Sequence, residues 1–333
     1  MACKQSFPLY FVDAFATSPF EGNQAAVVLA DGLSPDLYQK IASELNLSET
    51  SFVTPCVGRS GTYNLRWFTP TTEVPLCGHA TLAAAAVLLG KDEGKGDASA
   101  GKDVHFETAS GILSVEKSDH NARREGGVSP HFTMRLPLAL PSTSLPPPFS
   151  QGPAQETDAS AGCAIRSRPA RAEAFLQACV GENFKDSVVD VVYNSTLKYL
   201  VLRLADDTTV QQLESITPDF ASMSKFANKE HVSGVCITCL GGSSGYDFLS
   251  RFFGPWMGIP EDPVTGSAHT LLGPYWLQQL QAQKQGASGG QISTCLSACQ
   301  CSKRGGKLTV DIGHDQVSLG GSAVIVVEGR LNV

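Results

Sequence analysis

Apolar residues along the chain follow the periods of strands and helices, and the order of these elements repeats once. In the first half, short alternating runs predict strands around a helix from about Pro35 to Asn46 and before a second helix from Ala80 to Leu89. In the second half, the same patterns predict helices at about Asp219 to Ala227 and from Ala268 to about Gln283. The repeated order predicts an α/β fold built from two similar domains.

The loops before the two long helices also match. The stretch Glu73-Val74-Pro75-Leu76-Cys77-Gly78-His79-Ala80 corresponds to Glu261-Asp262-Pro263-Val264-Thr265-Gly266-Ser267-Ala268, without gaps. Such a match inside the same order of elements favours a duplicated domain, although chance similarity can also produce so short a match. We therefore expect an N-terminal domain over residues 1–138 and a C-terminal domain over residues 139–333.

The helix from Ala80 to Leu89 is apolar on every side. A helix of this kind must be buried all round, and its natural host is a sheet that wraps around it. The sequence therefore predicts that each domain is a mixed, mostly antiparallel sheet wrapped around a central helix. Three segments with little apolar content are expected to be surface insertions or loops, at residues 90–102, 141–169 and 285–290.

Composition and charge exclude several classes of function. The chain has 333 residues, 42% of them hydrophobic, and a net charge of −7 with no basic stripe, which argues against a nucleic-acid partner. Its longest apolar run is too short to span a bilayer, and its N-terminus has no apolar core of a secretory signal. The ten cysteines are scattered, so we expect them to be free thiols in a reducing compartment, which predicts a cytoplasmic protein. We expect neither a membrane nor a nucleic acid as its partner.

Two glycine sites at predicted helix starts are candidates for anion binding. Cys77-Gly78-His79 and Thr265-Gly266-Ser267 each precede a long helix. A helix start offers unpaired N–H groups and partial positive charge, and glycine allows a ligand to approach the backbone. Two such starts facing one cleft would bind a carboxylate from two sides. The alternative is ordinary helix capping, with Ser267 as the cap.

Glu49, His79 and Asp262 are the candidates for acid/base chemistry. Glu49 lies between a helix and an apolar strand, where burial in a dry cleft would raise the pKa of its carboxyl group toward neutrality. From the residues alone, a solvated loop carboxylate is the more common outcome for such a glutamate. His79 and Asp262 could form a polar cluster with it, or could simply interact with the ends of their helices.

The cysteines give less indication of chemistry. Cys77 corresponds to Thr265 in the repeat, and threonine has no thiolate, which disfavours a symmetric mechanism with two thiols. The spacing of Cys295, Cys299 and Cys301 does not match the usual zinc motifs, so we expect no metal site.

Several blocks together resemble the phenazine-biosynthesis PhzF-like family. They follow the family's order over nearly the whole chain, and although each alone is weak, together they are specific: Val12-Asp13-Ala14-Phe15, Phe20-Glu21-Gly22-Asn23-Gln24-Ala25, Leu47-Ser48-Glu49-Thr50, Arg66-Trp67-Phe68-Thr69-Pro70, Cys77-Gly78-His79-Ala80-Thr81, Glu261-Asp262-Pro263-Val264-Thr265-Gly266-Ser267 and Arg304-Gly305-Gly306.

The resemblance implies a fold like that of diaminopimelate epimerase, a homodimer, and an isomerase that needs no cofactor. It implies that Glu49 shuttles a proton in the cleft between the domains, supported by His79, Asp262 and Ser267. The resemblance further implies a substrate-binding group made of Asn23, Cys77, Gly78, Thr265 and Gly266, with a small carboxylate-bearing molecule as substrate.

Two other functions stay open. The long insertions are compatible with a binding or regulatory protein that keeps the fold without catalysis. An amino-acid epimerase is the other alternative, and the missing second thiol argues against it.

Overall fold

The computed structural model describes residues 5–90, 102–118, 131–142, 144–149, 170–285 and 293–333. The chain forms two compact units, the first comprising Met1–Leu136, Gly306–Leu308 and Ser318–Val333, and the second comprising Pro137–Gly305 and Thr309–Val317. These units differ from the predicted ranges 1–138 and 139–333 at the C-terminus, where the last strand pairs with the first strand of the chain.

The first unit contains most of the first half of the chain. Its elements are β1 (Ser6–Ala14), β2 (Asn23–Leu29), α1 (Pro35–Leu45), β3 (Glu49–Pro55), β4 (Thr62–Phe68), β5 (Glu73–Val74), α2 (Gly78–Gly90), β6 (Asp103–Thr108), β7 (Gly111–Ser118) and β8 (His131–Pro137), together with most of β16 (Gln316–Asn332).

The sheet of the first unit surrounds α2. Strands β2 and β3 are parallel, as are β4 and β6, whereas β1 pairs antiparallel with both β2 and β16. Ten of the thirteen residues of α2 are buried, and the helix packs against β1, β2, β3, β6 and β7. The predicted burial of this apolar helix on all sides is therefore confirmed. Helix α1 covers the other face, where Tyr38 and Ile41 pack against Phe52.

The second unit has more helices. Its elements are α3 (Ala170–Val180), β9 (Val188–Asn194), β10 (Tyr199–Leu204), α4 (Val210–Ser215), α5 (Phe220–Phe226), β11 (Gly234–Leu240), β12 (Phe248–Gly254), β13 (Ile259–Asp262), α6 (Gly266–Gln285), β14 (Cys295–Gln300) and most of β15 (Gly306–Ile312).

Helices cover both faces of the sheet in the second unit. Leu200, Leu202 and Leu204 belong to an apolar core that also contains residues of α3, α4 and α5. On α6, Tyr275 donates to Asp190 of β9 at 2.7 Å and Trp276 donates to Thr238 of β11 at 2.9 Å. Helix α6 therefore crosses the sheet on the face opposite to the smaller helices.

The strand pairings of the two units correspond. In each, a parallel pair (β2–β3, β10–β11) is followed by an antiparallel pair (β3–β4, β11–β12) and a second parallel pair (β4–β6, β12–β14). The same order of parallel and antiparallel pairs in both units supports our interpretation that the domain is duplicated.

An arginine–glutamate ion pair also recurs. Arg66 Nε and Nη2 lie 2.7 and 2.8 Å from the two carboxylate oxygens of Glu73, and Arg251 Nε and Nη2 lie 2.7 and 3.0 Å from those of Glu261. The exposed first pair contributes little to stability. Arg251 is buried and also donates to the carbonyls of Leu213, Glu214 and Ile216, so it closes the C-terminal end of α4.

The structure also bears on the expected absence of a membrane span and on the expected insertions. Among the described residues, no helix has both the length and the apolar content that crossing a membrane requires. Most of the expected insertions at 90–102, 141–169 and 285–290 lie outside the described residues.

Candidate functional site

Three elements of the first unit bring Asn23, Glu49 and His79 together. Asn23 and Glu49 are the first residues of the neighbouring parallel strands β2 and β3, and the register pairs Ala25 with Glu49. His79 is the second residue of α2. The starts of two parallel strands and of the buried helix therefore meet at one place.

Glu49 is buried, with only 7% of its surface exposed. Its Oε2 lies 3.0 Å from Nε2 of His79, which is an ion-pair distance. Cys77 Sγ lies 3.4 Å from Nδ1 of the same ring. The alternative of a solvated loop glutamate is therefore wrong, because Glu49 is buried.

The charge of this cluster is set by its neighbours. Burial raises the pKa of the Cys77 thiol, and Glu49 raises it further, so the thiol is neutral near pH 7. Burial opposes the imidazolium form of His79, whereas the Glu49 carboxylate favours it and raises the pKa of His79. With a neutral thiol, Glu49 is the partner that favours the charged imidazole.

Asn23 and Ser48 extend the cluster. Asn23 Nδ2 lies 3.2 Å from His79 Nδ1, on the side of the ring away from Glu49. The Ser48 hydroxyl lies 3.3 Å from Asn23 Oδ1 and donates to the Gln24 carbonyl at 2.6 Å. Asn23 therefore contacts the catalytic candidate His79, a relationship that the prediction of substrate binding did not include.

The turn before Asn23 has little freedom. Gly22 has φ of +66°, and a Cβ atom there would lie 2.2 Å from the Ala14 carbonyl oxygen. The buried Asp13 carboxylate accepts a hydrogen bond from the Phe20 amide at 2.7 Å. The glycine and the aspartate of two sequence blocks thus fix the chain that leads into Asn23.

In the second unit, Asp262 and Thr265 form a cluster of their own. The Thr265 hydroxyl donates to Asp262 Oδ2 at 2.5 Å. Gln300, which is buried, accepts from the Thr265 amide at 2.9 Å and donates to the Asp262 carbonyl at 2.7 Å. Gln300 was missed by sequence reasoning because it lies 38 residues beyond Asp262 and belongs to no motif.

The start of α6 holds two further contacts. Ser267 Oγ lies 3.1 Å from the Tyr199 hydroxyl oxygen. His269 Nδ1 lies 2.8 Å from the Thr265 carbonyl oxygen, and burial lowers the pKa of His269 to about 4. A neutral His269 therefore donates to the turn that contains Asp262. Thr81 occupies the matching position in the first unit and donates to the Cys77 carbonyl at 2.6 Å.

The structure thus brings the predicted residues together in two groups. Glu49, His79, Asn23, Cys77 and Gly78 belong to the first unit, and the remaining predicted residues, Asp262, Thr265, Gly266 and Ser267, belong to the second. Gly78 and Gly266 are the first residues of α2 and α6, which begin two residues before the predicted starts at Ala80 and Ala268. In the part of the chain that the structure describes, one group of three potential metal donors occurs, Glu49, Cys77 and His79, with one donor atom of each within 4.8 Å of the others.

Comparison with known proteins decides the family. A model of the family described as phenazine biosynthesis-like protein matches residues 12–145 and 162–329. The chain belongs to this family. The predicted PhzF-like resemblance is confirmed.

Individual PhzF-like relatives agree. An uncharacterized isomerase from Pseudomonas aeruginosa is 38% identical, with 98% of each chain covered. A crystal structure of a PhzF-family phenazine biosynthesis protein from Enterococcus faecalis is 32% identical, with a TM-score of 0.71 and coverage of 99% of this chain and 100% of that chain. The first of these relatives supports an isomerase role.

The fold is also shared with an epimerase-like protein. The structure of a predicted epimerase from Pseudomonas aeruginosa has a TM-score of 0.61 at 21% identity, with coverage of 98% of this chain and 99% of that chain, which is a likeness of fold alone. The predicted mixed α/β class with an epimerase-like fold is confirmed.

Proposed function

We propose that this PhzF-like protein is a cofactor-independent isomerase that moves a proton between two carbon atoms of a small carboxylate-bearing substrate. Glu49 acts as the general base and then as the general acid. The observation that carries the proposal is the burial of Glu49 beside His79 at the start of α2. A buried carboxylate that has a specific charged partner is typical of catalytic sites.

The chemistry requires one group that both accepts and returns the proton. Glu49 would take a proton from a carbon of the substrate, whose electrons delocalise into the adjacent unsaturated system, and would return the proton to another carbon of the same molecule. His79 lies 3.0 Å from Oε2 and would stabilise the carboxylate between the two steps. No electron acceptor is needed, because the substrate and product are isomers.

Substrate binding would use the starts of the two long helices. Backbone N–H groups around Gly78 and Gly266 would bind the substrate carboxylate, since helix starts favour negative charge. Asp262 and Ser267 would support the reaction, and Gln300 would hold Asp262 and Thr265 in their present geometry.

An amino-acid epimerase is a weaker proposal. Enzymes with two catalytic thiols need a cysteine on each side of the substrate carbon, and Thr265 corresponds to Cys77. Thr265 also donates its hydroxyl hydrogen to Asp262, so its oxygen is engaged in a structural contact. A single carboxylate therefore fits the residues better than a pair of thiols.

Solvent-deuterium incorporation tests the role of Glu49. The wild type would be incubated in D2O with a panel of small unsaturated carboxylates, and deuterium at carbon would be followed by NMR. Glu49→Gln is expected to lower the rate by about 10²- to 10⁴-fold. Glu44→Gln, a change at an exposed position of α1, should leave the rate unchanged. Equal incorporation by wild type and Glu49→Gln would exclude Glu49 as the acid/base.

A homodimer is a further proposal that follows from the family resemblance, and a cytoplasmic location is a proposal that follows from the scattered cysteines. Sedimentation equilibrium of the purified chain would measure the first, and imaging of the tagged protein in its own cell would measure the second. A monomer at micromolar concentration would contradict the dimer.

A further inference from the structure

Two cysteine thiols lie side by side at the end of β14. Cys299 and Cys301 flank Gln300, the last residue of the strand. The Cys301 Sγ atom lies 4.0 Å from Cys299 Sγ and 3.9 Å from the Cys299 carbonyl oxygen, so its hydrogen can be shared between these acceptors. Side chains two residues apart on a strand point to the same face, and the backbone itself therefore holds the two sulfurs together.

The separation of the two cysteines is compatible with a disulfide bond. Two residues at this spacing on a strand have Cα atoms about 6.6 Å apart, and the Cα atoms of disulfide-bonded cysteines lie up to about 6.8 Å apart. The sulfurs would have to approach from 4.0 Å to about 2.0 Å. Because the spacing is near the upper end of the range, the strand has to bend for the bond to close, and a strained disulfide is readily reduced again.

The two thiols differ in their surroundings. Cys299 is half-buried, whereas Cys301 belongs to the apolar core of the second unit, which also contains Cys239. The hydrogen bond to Cys299 raises the pKa of the Cys301 thiol, and burial raises it further, so Cys301 keeps its hydrogen. A donated hydrogen bond favours the charged form of its acceptor. Cys299 is therefore the sulfur that solvent reaches and that reacts first as a thiolate.

The strand end between these thiols holds the turn that contains Asp262. On the face of β14 opposite to the thiols, Gln300 accepts from the Thr265 amide and donates to the Asp262 carbonyl. A backbone N–H can only donate and a carbonyl can only accept, so these two contacts determine the orientation of the Gln300 amide. Ser302 Oγ also donates to the Pro263 carbonyl at 2.9 Å. A bend of the strand at Gln300 therefore acts directly on the Asp262 turn.

We propose that Cys299 and Cys301 are a redox-sensitive pair, which hydrogen peroxide converts to a disulfide that loosens the Asp262 turn. The Cys299 thiolate attacks one peroxide oxygen, the O–O bond breaks, and the other oxygen leaves as water after it gains a proton. The Cys301 sulfur then attacks Cys299 Sγ, and the oxygen of the sulfenic acid leaves as water with the Cys301 hydrogen. A small thiol reverses the step by disulfide exchange. Only the expected loss of isomerase activity on oxidation rests on the proposed function.

Peptide mapping of the full-length chain tests the bond. Cys295→Ser is the background, because Cys295 is an exposed thiol on the same tryptic peptide, which runs from Gln285 to Lys303. After treatment with hydrogen peroxide and blocking with iodoacetamide, this peptide is expected to be unblocked and two hydrogens lighter than its dithiol form. Dithiothreitol should restore both thiols. A peptide that stays fully blockable, or one joined to Cys239 instead, would overturn the pairing.

Two substitutions in the same background separate the roles of the thiols. Cys301→Ala removes the second thiol, so peroxide should leave a sulfenic acid on Cys299 that dimedone traps. Cys299→Ala should slow oxidation of the peptide by about tenfold or more, because the remaining thiol is buried and protonated. Equal rates would overturn the order of reaction. If either variant does not fold, the mapping without it still decides whether the bond forms.

Hydrogen exchange followed by NMR measures the link to Asp262. Oxidation is expected to speed exchange of the Thr265 amide by about tenfold or more, because Gln300 no longer holds it. The amide of Val27, in β2 of the first unit, should be unaffected, and in Cys301→Ala peroxide should leave Thr265 exchange unchanged. Unchanged Thr265 exchange in protein that carries the disulfide would overturn the link. None of these results depends on whether Glu49 catalyses a reaction, which deuterium incorporation measures separately.

Discussion

Gly234 occupies in the second unit the strand position that Glu49 occupies in the first. Glu49 is the first residue of β3 and pairs with Ala25 of the parallel strand β2, whereas Gly234 is the first residue of β11 and pairs with Tyr199 of the parallel strand β10. A Cβ atom at Gly234 would lie 2.3 Å from the Phe252 ring. The space that a second carboxylate would need at this position is therefore filled by an aromatic side chain, and the proposed acid/base group has no counterpart there.

Because the Phe252 ring occupies the space beside Gly234, we expect that position 234 does not tolerate a glutamate. Gly234→Glu must displace Phe252 or the strand, so we expect the free energy of unfolding to fall by about 3 kcal/mol or more. Gly329→Glu is the control, because that glycine lies on an exposed stretch of β16 where a Cβ atom would have no neighbour within 4 Å. Urea denaturation of both variants measures the difference, and equal stability would show that Phe252 does not block a side chain at position 234.

Cys77 is expected to be dispensable for proton transfer. Its thiol is neutral near pH 7, and its counterpart Thr265 cannot act as a thiolate. Cys77→Ala should therefore retain deuterium incorporation within about tenfold of wild type, whereas Glu49→Gln loses about 10²-fold or more. Steady-state rates of both variants on the same substrate provide the comparison. A loss in Cys77→Ala as large as that in Glu49→Gln would favour a thiol mechanism instead.

Gln300 is expected to be essential for the geometry around Asp262. Gln300→Leu leaves the buried Thr265 amide without its acceptor and the Asp262 carbonyl without its donor, which should cost about 2 kcal/mol or more. Gln316→Leu, at an exposed position, should change stability by less than about 0.5 kcal/mol. Thermal and urea unfolding of the two variants measure these costs. A Gln300→Leu protein as stable as wild type would show that these hydrogen bonds are not needed.

Sequence patterns predicted the parts of the molecule that local physics determines. The apolar stretch that begins at Ala80 has to be a buried helix, and α2 and α6 begin at Gly78 and Gly266, two residues before the predicted starts. Family motifs, rather than local patterns, indicated that Glu49 leaves solvent, because a glutamate at the start of a strand is usually hydrated.

The contacts that depend on strand register were not predictable. Gln300 reaches Asp262 from β14, and Tyr199 reaches Ser267 from β10, and neither residue stands near its partner in sequence. The contact of Asn23 with His79 depends on the position of β2 in the sheet in the same way. Pairings between distant segments are set by the packing of the whole unit, which local periodicity does not contain.

His269 should make the protein sensitive to acid. The folded state holds the pKa of His269 at about 4, below the value of about 6.5 expected in the unfolded chain. Between these values the unfolded state binds a proton that the folded state does not, so the stability that is present above about pH 6.5 is lost as the pH falls toward 4. The shift corresponds to a loss of about 3 kcal/mol.

His269→Thr isolates this contribution, because the matching residue of the first unit, Thr81, makes the same kind of contact to a carbonyl four residues earlier. The variant will lose some packing at every pH, but the difference in unfolding free energy between wild type and variant should shrink or reverse by about 2–3 kcal/mol between pH 7.5 and pH 4.5. Urea denaturation at several pH values measures this difference. Other buried histidines, such as His131, are present in both proteins and cancel in the comparison. Parallel loss of stability in the two proteins would show that His269 is not the group responsible.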